Sequence, residues 1–170
     1  MINGLPAHVL LVHFVVVLVP LTALAVVASA VSRRVAQRMG VALPLLALIT
    51  LAGVPLTTNA GEWLEKHVSS DALVRRHAEL GDGLLPWAIG LFVVAVAAWW
   101  VARGAATPGP TPSAEDNGRR TAMPVRVAVA VLALVVSVGA VVDVYRIGDS
   151  GAKAAWHDSF TKTASGGDGD

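Results

Sequence analysis

The sequence contains no cysteine among its 170 residues. Disulfide bonds, thiolate metal ligands, iron–sulfur clusters held by this chain and covalently attached c-type haem are therefore excluded. Charged residues are also scarce, at 15% against 55% hydrophobic residues, and the net charge is only +1. A soluble domain of this length needs more charge to cover its surface, so the composition indicates a membrane protein. The basic residues are scattered, which argues against nucleic-acid binding.

The motifs of several enzyme classes are absent as well. The sequence has no Walker A loop, no G-x-S-x-G, no H-E-x-x-H and no Glu-x-x-His pair of the di-iron bundle type. Hydrolase and phosphoryl-transfer functions therefore have no support. The sequence does not decide whether the chain is an enzyme, and a non-catalytic role is favoured.

Four apolar segments, each roughly twenty residues long, match the length that an α-helix needs to cross a bilayer. They cover residues 9–31, 41–61, 83–102 and 125–147. Lipid cannot satisfy exposed backbone N–H and C=O groups, so these segments must be helical. The tryptophans lie near the segment ends, as an aromatic belt would place them. The predicted fold is all-α, a bundle of four transmembrane helices that forms one domain over residues 1–160.

The charge pattern around the first segment predicts its orientation. The N-terminal tail has no Lys or Arg, whereas Arg33, Arg34 and Arg38 follow the segment. By the positive-inside rule the N-terminus lies on the extracytoplasmic side, and four spans return the C-terminus to that side. The same charge order argues against a cleaved signal peptide ending at Ala28–Ala30, because a signal peptide carries its basic residues before its apolar core.

Two further segments are rich in residues that disfavour regular structure. Residues 104–122 contain Pro108, Pro110 and Pro112 together with a Ser-Ala-Glu-Asp-Asn-Gly run. This composition predicts a flexible cytoplasmic loop between two helix pairs. Residues 161–170 are predicted to form a disordered tail.

The histidines are the residues most suited to bind a cofactor. The predicted topology places all five on one side of the membrane: His8, His13, His67, His77 and His157. His13 lies about one turn inside the first span, where an ionisable side chain needs a partner within the bundle. That partner is either a neighbouring helix or a bound ligand. His77 shares an apolar stripe with Leu73, Leu80 and Leu84, which predicts that it points into the bundle.

Asp143 is the other ionisable residue predicted to be buried. Arg146 follows three residues later and can pair with it on the same helix face. Alternatively, Asp143 accepts a hydrogen bond from a ligating histidine and so fixes its tautomer, or relays protons. His67 and His157 lie in charge-rich surroundings and are predicted to be surface residues.

Three segments resemble the DUF2231 family of prokaryotic membrane proteins. Residues 4–14, which read Gly-Leu-Pro-Ala-His-Val-Leu-Leu-Val-His-Phe, resemble its opening motif. Arg75–Ala78 is similar to its other histidine segment, and Arg146–Trp156 to the end of an actinobacterial subgroup. Val9 and Val15 replace the prolines that usually follow the two N-terminal histidines. The first helix should therefore be straighter here, with its histidines aimed differently.

The resemblance covers nearly the whole chain except the proline-rich loop and the tail, and it implies a multi-pass protein of a prokaryotic cell membrane. The family has no established activity. Its members look like small di-haem cytochrome b bundles and can be joined to redox modules, which implies a redox role. The resemblance implies that His8, His13 and His77 are the cofactor-binding positions of this chain.

Three functions remain open at this point. The first is electron transfer with a redox partner protein by a b-type haem in the outer half of the bundle, with His13 and His77 as axial ligands. The second is an outward-facing copper or zinc site built from His8 and His77. Glu79 or Asp82 would complete that site. The third is a structural or assembly subunit without a cofactor, in which small residues serve helix packing. The lipid bilayer surrounds the protein in each case, and a homo-oligomer is compatible with all three.

Overall fold

The computed structural model describes residues 7–65, 72–104 and 112–164, and these residues are almost entirely helical. The helices in chain order are α1 (Ala7–Val31), α2 (Arg33–Met39), α3 (Ala42–Glu65), α4 (Ala72–Asp82), α5 (Leu84–Gly104) and α6 (Pro112–Ala164). The described ranges contain no β-strand. The all-α class predicted from the sequence is confirmed.

Four stretches of the described chain are long and apolar enough to cross a membrane. They are Leu10–Val31, Ala42–Trp63, Arg75–Gly104 and Met123–Lys153. The prediction of four spans is thus confirmed, and the third stretch begins at Arg75 because it includes most of α4. The side of the membrane on which the termini lie stays a prediction.

The third span is a broken helix rather than a continuous one. Gly83 forms a turn between α4 and α5, and its N–H bonds the carbonyl of Leu80 at 3.1 Å. Pro86 explains the break, because a proline has no N–H to donate to the carbonyl four residues earlier and its ring clashes with that carbonyl. Here that carbonyl belongs to Asp82, the last residue of α4.

Helix α6 is longer than its membrane span. It begins at Pro112 and ends at Ala164, so it extends into the predicted loop and into the first residues of the predicted tail. Its start suits a helix, because a proline stands at the first position. Residues 105–111 and 165–170 lie outside the described part of the chain.

The core of the bundle is made mainly of valine and alanine. Small side chains let helix backbones approach closely, which matters in lipid because apolar burial between helices gains little there. One buried cluster comprises Val15, Val19, Ala23, Val54, Leu84, Ala88, Leu91, Ala140 and Val144. A second cluster, further along the bundle, comprises Val26, Leu43, Ala47, Val94, Ala95, Ala98 and Ala133.

Buried hydroxyl groups join the helices at two levels of this core. The Thr22 and Thr50 hydroxyls lie 2.7 Å apart and link α1 to α3. Because Thr50 donates to the carbonyl of Leu46 at 2.9 Å, Thr22 is the donor of the pair. Ser137 of α6 donates to the carbonyl of Ala23 at 3.3 Å. Such bonds satisfy polar groups that lipid would leave unsatisfied.

Candidate functional site

A cavity lies between the four spans at one end of the bundle. This end contains His77 and is named the His77 end. Its wall is mostly apolar, with valines from α1, α3 and α6 and with Leu84 and Ile147; its polar side chains are His77, Thr57 and Thr58. The space open to the centres of water-sized molecules is about 60 Å³. That is room for roughly five water molecules or one small molecule.

The hydrogen bonds of Ser150 determine how the imidazole of His77 presents its nitrogens. Nδ1 of His77 lies 3.0 Å from Oγ of Ser150 in α6. That hydroxyl donates its single hydrogen to the carbonyl of Ile147 at 2.8 Å. Ser150 can therefore only accept from the ring, so we infer that Nδ1 carries the hydrogen. In the neutral imidazole the lone pair is then on Nε2.

Gly151 lets the imidazole lie against α6. A Cβ at this position would stand only 3.0 Å from Cε1 of His77, which is tighter than most side-chain contacts and would require the ring to shift by a few tenths of an ångström. The hydroxyl of Ser150 binds the ring by a hydrogen bond, and the absence of a side chain at Gly151 leaves room for the ring against α6. Sequence reasoning did not find this pairing, because 73 residues separate His77 from Ser150 and no spacing connects them. The only sequence signal was that both lie in segments that resemble one family.

The two threonines add hydrogen-bond acceptors to the cavity. Thr57 donates its hydroxyl hydrogen to the carbonyl of Gly53 at 2.8 Å, and Thr58 donates to the carbonyl of Pro55 at 3.1 Å. Both hydrogens are thus used within α3, and the hydroxyl oxygens can only accept a further bond. With Nε2 of His77, the polar atoms of this wall accept hydrogen bonds rather than donate them.

His13 and His77 lie at the same end of the bundle, as predicted, but they do not share this cavity. Val12 lines the cavity with His77, whereas His13 is exposed on the surface of α1 and is absent from the wall. The side chains of His8 and His157, and all of His67, lie outside the described residues. The hypothesis that His13 and His77 ligate one haem stays a prediction.

The described residues do not assemble a metal centre on their own. Within them, no three His, Asp or Glu side chains lie close enough together to hold a metal ion. Glu79 and Asp82, predicted to complete a copper or zinc site, are both exposed on α4. That site also depends on His8, so it too stays a prediction.

Asp143 lies beside the break in the third span. Its Oδ2 is buried and has no hydrogen-bond partner among the described residues, so Arg146 does not bond that oxygen. A Cβ at Gly83 would be 3.7 Å from it. The carboxyl group therefore lies close to the break between α4 and α5. Nδ1 of His77 is hydrogen-bonded to Ser150, and the role of Asp143 as a hydrogen-bond partner of a ligating histidine stays a prediction.

The comparisons with known proteins match the chain to one family description. The family model described as "Predicted membrane protein (DUF2231)" matches residues 4–164. The match includes every helix and therefore both partners of the hydrogen bond between His77 and Ser150. No curated protein and no solved structure matches the chain.

Proposed function

The chain belongs to the DUF2231 family of predicted membrane proteins, and from this premise we propose that it is a binding protein whose site is the cavity at the His77 end. The ligand is a small, mainly apolar molecule that carries one hydrogen-bond donor. The imidazole of His77 accepts this bond at Nε2, in exchange for any other partner that it has in the unliganded protein. The orientation of the imidazole by Ser150 supports the proposal most strongly.

The chemistry of the cavity wall selects this class of ligand. Apolar side chains from the spans favour an apolar body, and a few convergent polar groups fix its orientation. Because these groups accept hydrogen bonds, a ligand that donates one is stabilised, and a ligand with only acceptors leaves its own polar atoms unsatisfied. A hydroxyl group on a lipid-soluble molecule, such as a phenol, meets these requirements.

A pair of matched probes tests this proposal. We expect 4-butylphenol to bind the detergent-purified protein about tenfold more tightly than 4-butylanisole, its counterpart of similar shape without the hydroxyl hydrogen. One hydrogen bond in a water-poor cavity contributes about 1.4 kcal/mol, which is a factor of ten. Ligand-observed NMR titration measures both dissociation constants. Equal affinities would contradict the assignment of His77 as an acceptor.

Replacing Ser150 with alanine gives a smaller and more specific effect. Without the Ser150 acceptor the ring hydrogen can move to Nε2, so the preference for the phenol should fall about two- to threefold. Ser150→Thr keeps the hydroxyl and should keep most of the preference. The same two probes measure both variants. A full preference in Ser150→Ala would mean that this hydrogen bond does not control the tautomer.

A b-type haem is the second candidate ligand for the same imidazole. His77, through Nε2, and His13 would be the residues that hold its iron, and the bound group would supply one-electron redox chemistry for transfer to a partner protein. The described cavity does not fit a porphyrin, because it has room for only about five waters and His13 lies outside it. Haem binding at this site therefore requires the helices to separate. Sharp visible bands on dithionite reduction of the purified protein would favour haem over the small ligand.

Two other roles are compatible with the family description. A copper or zinc ion suits a neutral imidazole but needs ligands beyond His77. A structural or assembly subunit would use His77 only to join α4 to α6 through Ser150. Elemental analysis of the purified protein separates the first role from the others. Equal binding of the two probes, with no metal and no haem, would favour the structural role.

A further inference from the structure

A second cavity, at the opposite end of the bundle, brings two arginines together. Arg33 at the start of α2 and Arg126 of α6 both line it. The rest of its wall is made mostly of small side chains, including Ala36 and Ala98. The space for the centres of water-sized molecules is about 20 Å³, room for only one or two waters.

The charges at this cavity are not balanced by the residues that line it. Among the described residues of its wall there is no aspartate or glutamate. Arg126 is half-buried, and Arg33 lies close enough to repel it electrostatically. Two like charges near a low-dielectric bilayer raise the energy of the folded protein. An anion between the two guanidinium groups would convert this repulsion into attraction.

The other arginines at this end differ in their surroundings. The guanidinium of Arg103 lies 4.8 Å from the centre of the Trp99 ring and forms a cation–π contact with it. Arg34 is exposed, as its neighbour Arg33 is, but it does not line the cavity. Arg33 and Arg126 thus share one cavity wall, which Arg34 and Arg103 do not line.

We propose that Arg33 and Arg126 bind a phosphate group, either that of an anionic phospholipid or inorganic phosphate. A guanidinium is planar and presents two N–H groups that match two phosphate oxygens. Basic pockets between transmembrane helices are suited to anionic headgroups. The small cavity admits phosphate oxygens while the remainder of a lipid stays in the bilayer. This site is independent of the cavity at the His77 end.

The test compares thermal unfolding in nanodiscs of different lipid composition. A ligand that binds only the folded state raises the unfolding temperature. We expect wild-type protein to unfold at a higher temperature when phosphatidylglycerol is added to phosphatidylcholine, or when inorganic phosphate is added to phosphatidylcholine alone. A rise in the first arm identifies a lipid headgroup, and a rise in both identifies any accessible phosphate. No rise in either arm would overturn the proposal.

Two double variants remove equal charge and separate specific binding from general attraction. R33Q/R126Q should lose the rise, and R34Q/R103Q should keep it. In phosphatidylcholine alone, R33Q/R126Q should unfold no lower than wild type, because the repulsion is removed. Equal rises in the two variants would overturn the proposal. If R33Q/R126Q does not fold, native mass spectrometry of the wild type decides, since failure to retain phosphatidylglycerol or phosphate would also overturn it.

Discussion

Replacing His77 with alanine is expected to abolish the preference for 4-butylphenol over 4-butylanisole, a change of about tenfold. The variant removes Nε2 together with the rest of the imidazole, the one nitrogen-containing side chain among the described residues of the cavity wall. The apolar part of the cavity remains, so both probes should still bind weakly and with similar affinity. Titration by ligand-observed NMR measures the two dissociation constants in the variant.

His13→Ala is the matched control for this prediction. It removes an imidazole at the same end of the bundle, but one that is exposed and does not line the cavity. The phenol preference should be unchanged in this variant. If the purified protein contains haem, and both variants lose it equally, then the two histidines act as an axial pair and the small-ligand proposal is wrong.

Gly139→Ala is expected to destabilise the bundle by about 1–3 kcal/mol through overpacking. The ring of Trp87 in α5 lies directly over Gly139 of α6, and a Cβ there would overlap its ring carbons. The ring must move, and a bulky indole between two packed helices has little space to do so. For a protein of this size the unfolding temperature should fall by about 2–4 °C for each kcal/mol. Thermal unfolding in detergent, followed by circular dichroism, measures this effect.

Two controls isolate the contact between Gly139 and Trp87. Gly148→Ala lies in the same helix with open space around its added methyl group, so it should be neutral or stabilise by up to about 1 kcal/mol. In a Trp87→Leu background Gly139→Ala should cost much less, because the indole is gone. An undiminished cost in that background would show that the loss does not arise from this contact.

The sequence predicted the architecture well because span length and hydrophobicity are properties of single segments. The four spans needed no knowledge of which helices touch. Their rotations could not be predicted in the same way, because α1 is apolar on all sides and gives no periodic signal. In the structure Val15 and Val19 face the core, and His13 therefore turns outward.

The surroundings of His77 also could be predicted only in part from the sequence. Its own helix, α4, is amphipathic, and the stripe it forms with Leu80 and Leu84 indicated correctly that it points into the bundle. Ser150 and Gly151 act on it from α6, and their role follows from helix packing rather than from any local motif. The break at Gly83 could be predicted only in part. Pro86, which explains the break, is visible in the sequence. The position of the Asp143 carboxyl group beside the break depends on how α6 packs.

The protonation of the His77 ring is the central claim, and ¹⁵N NMR of histidine-labelled protein tests it most directly. The His77 signals are assigned by their loss in His77→Gln. At a pH where the ring is neutral, we predict a hydrogen on Nδ1 and an unprotonated Nε2, with the pattern weakened in Ser150→Ala. A neutral ring that carries its hydrogen on Nε2 would contradict the account, because that nitrogen would then have no lone pair to offer a ligand.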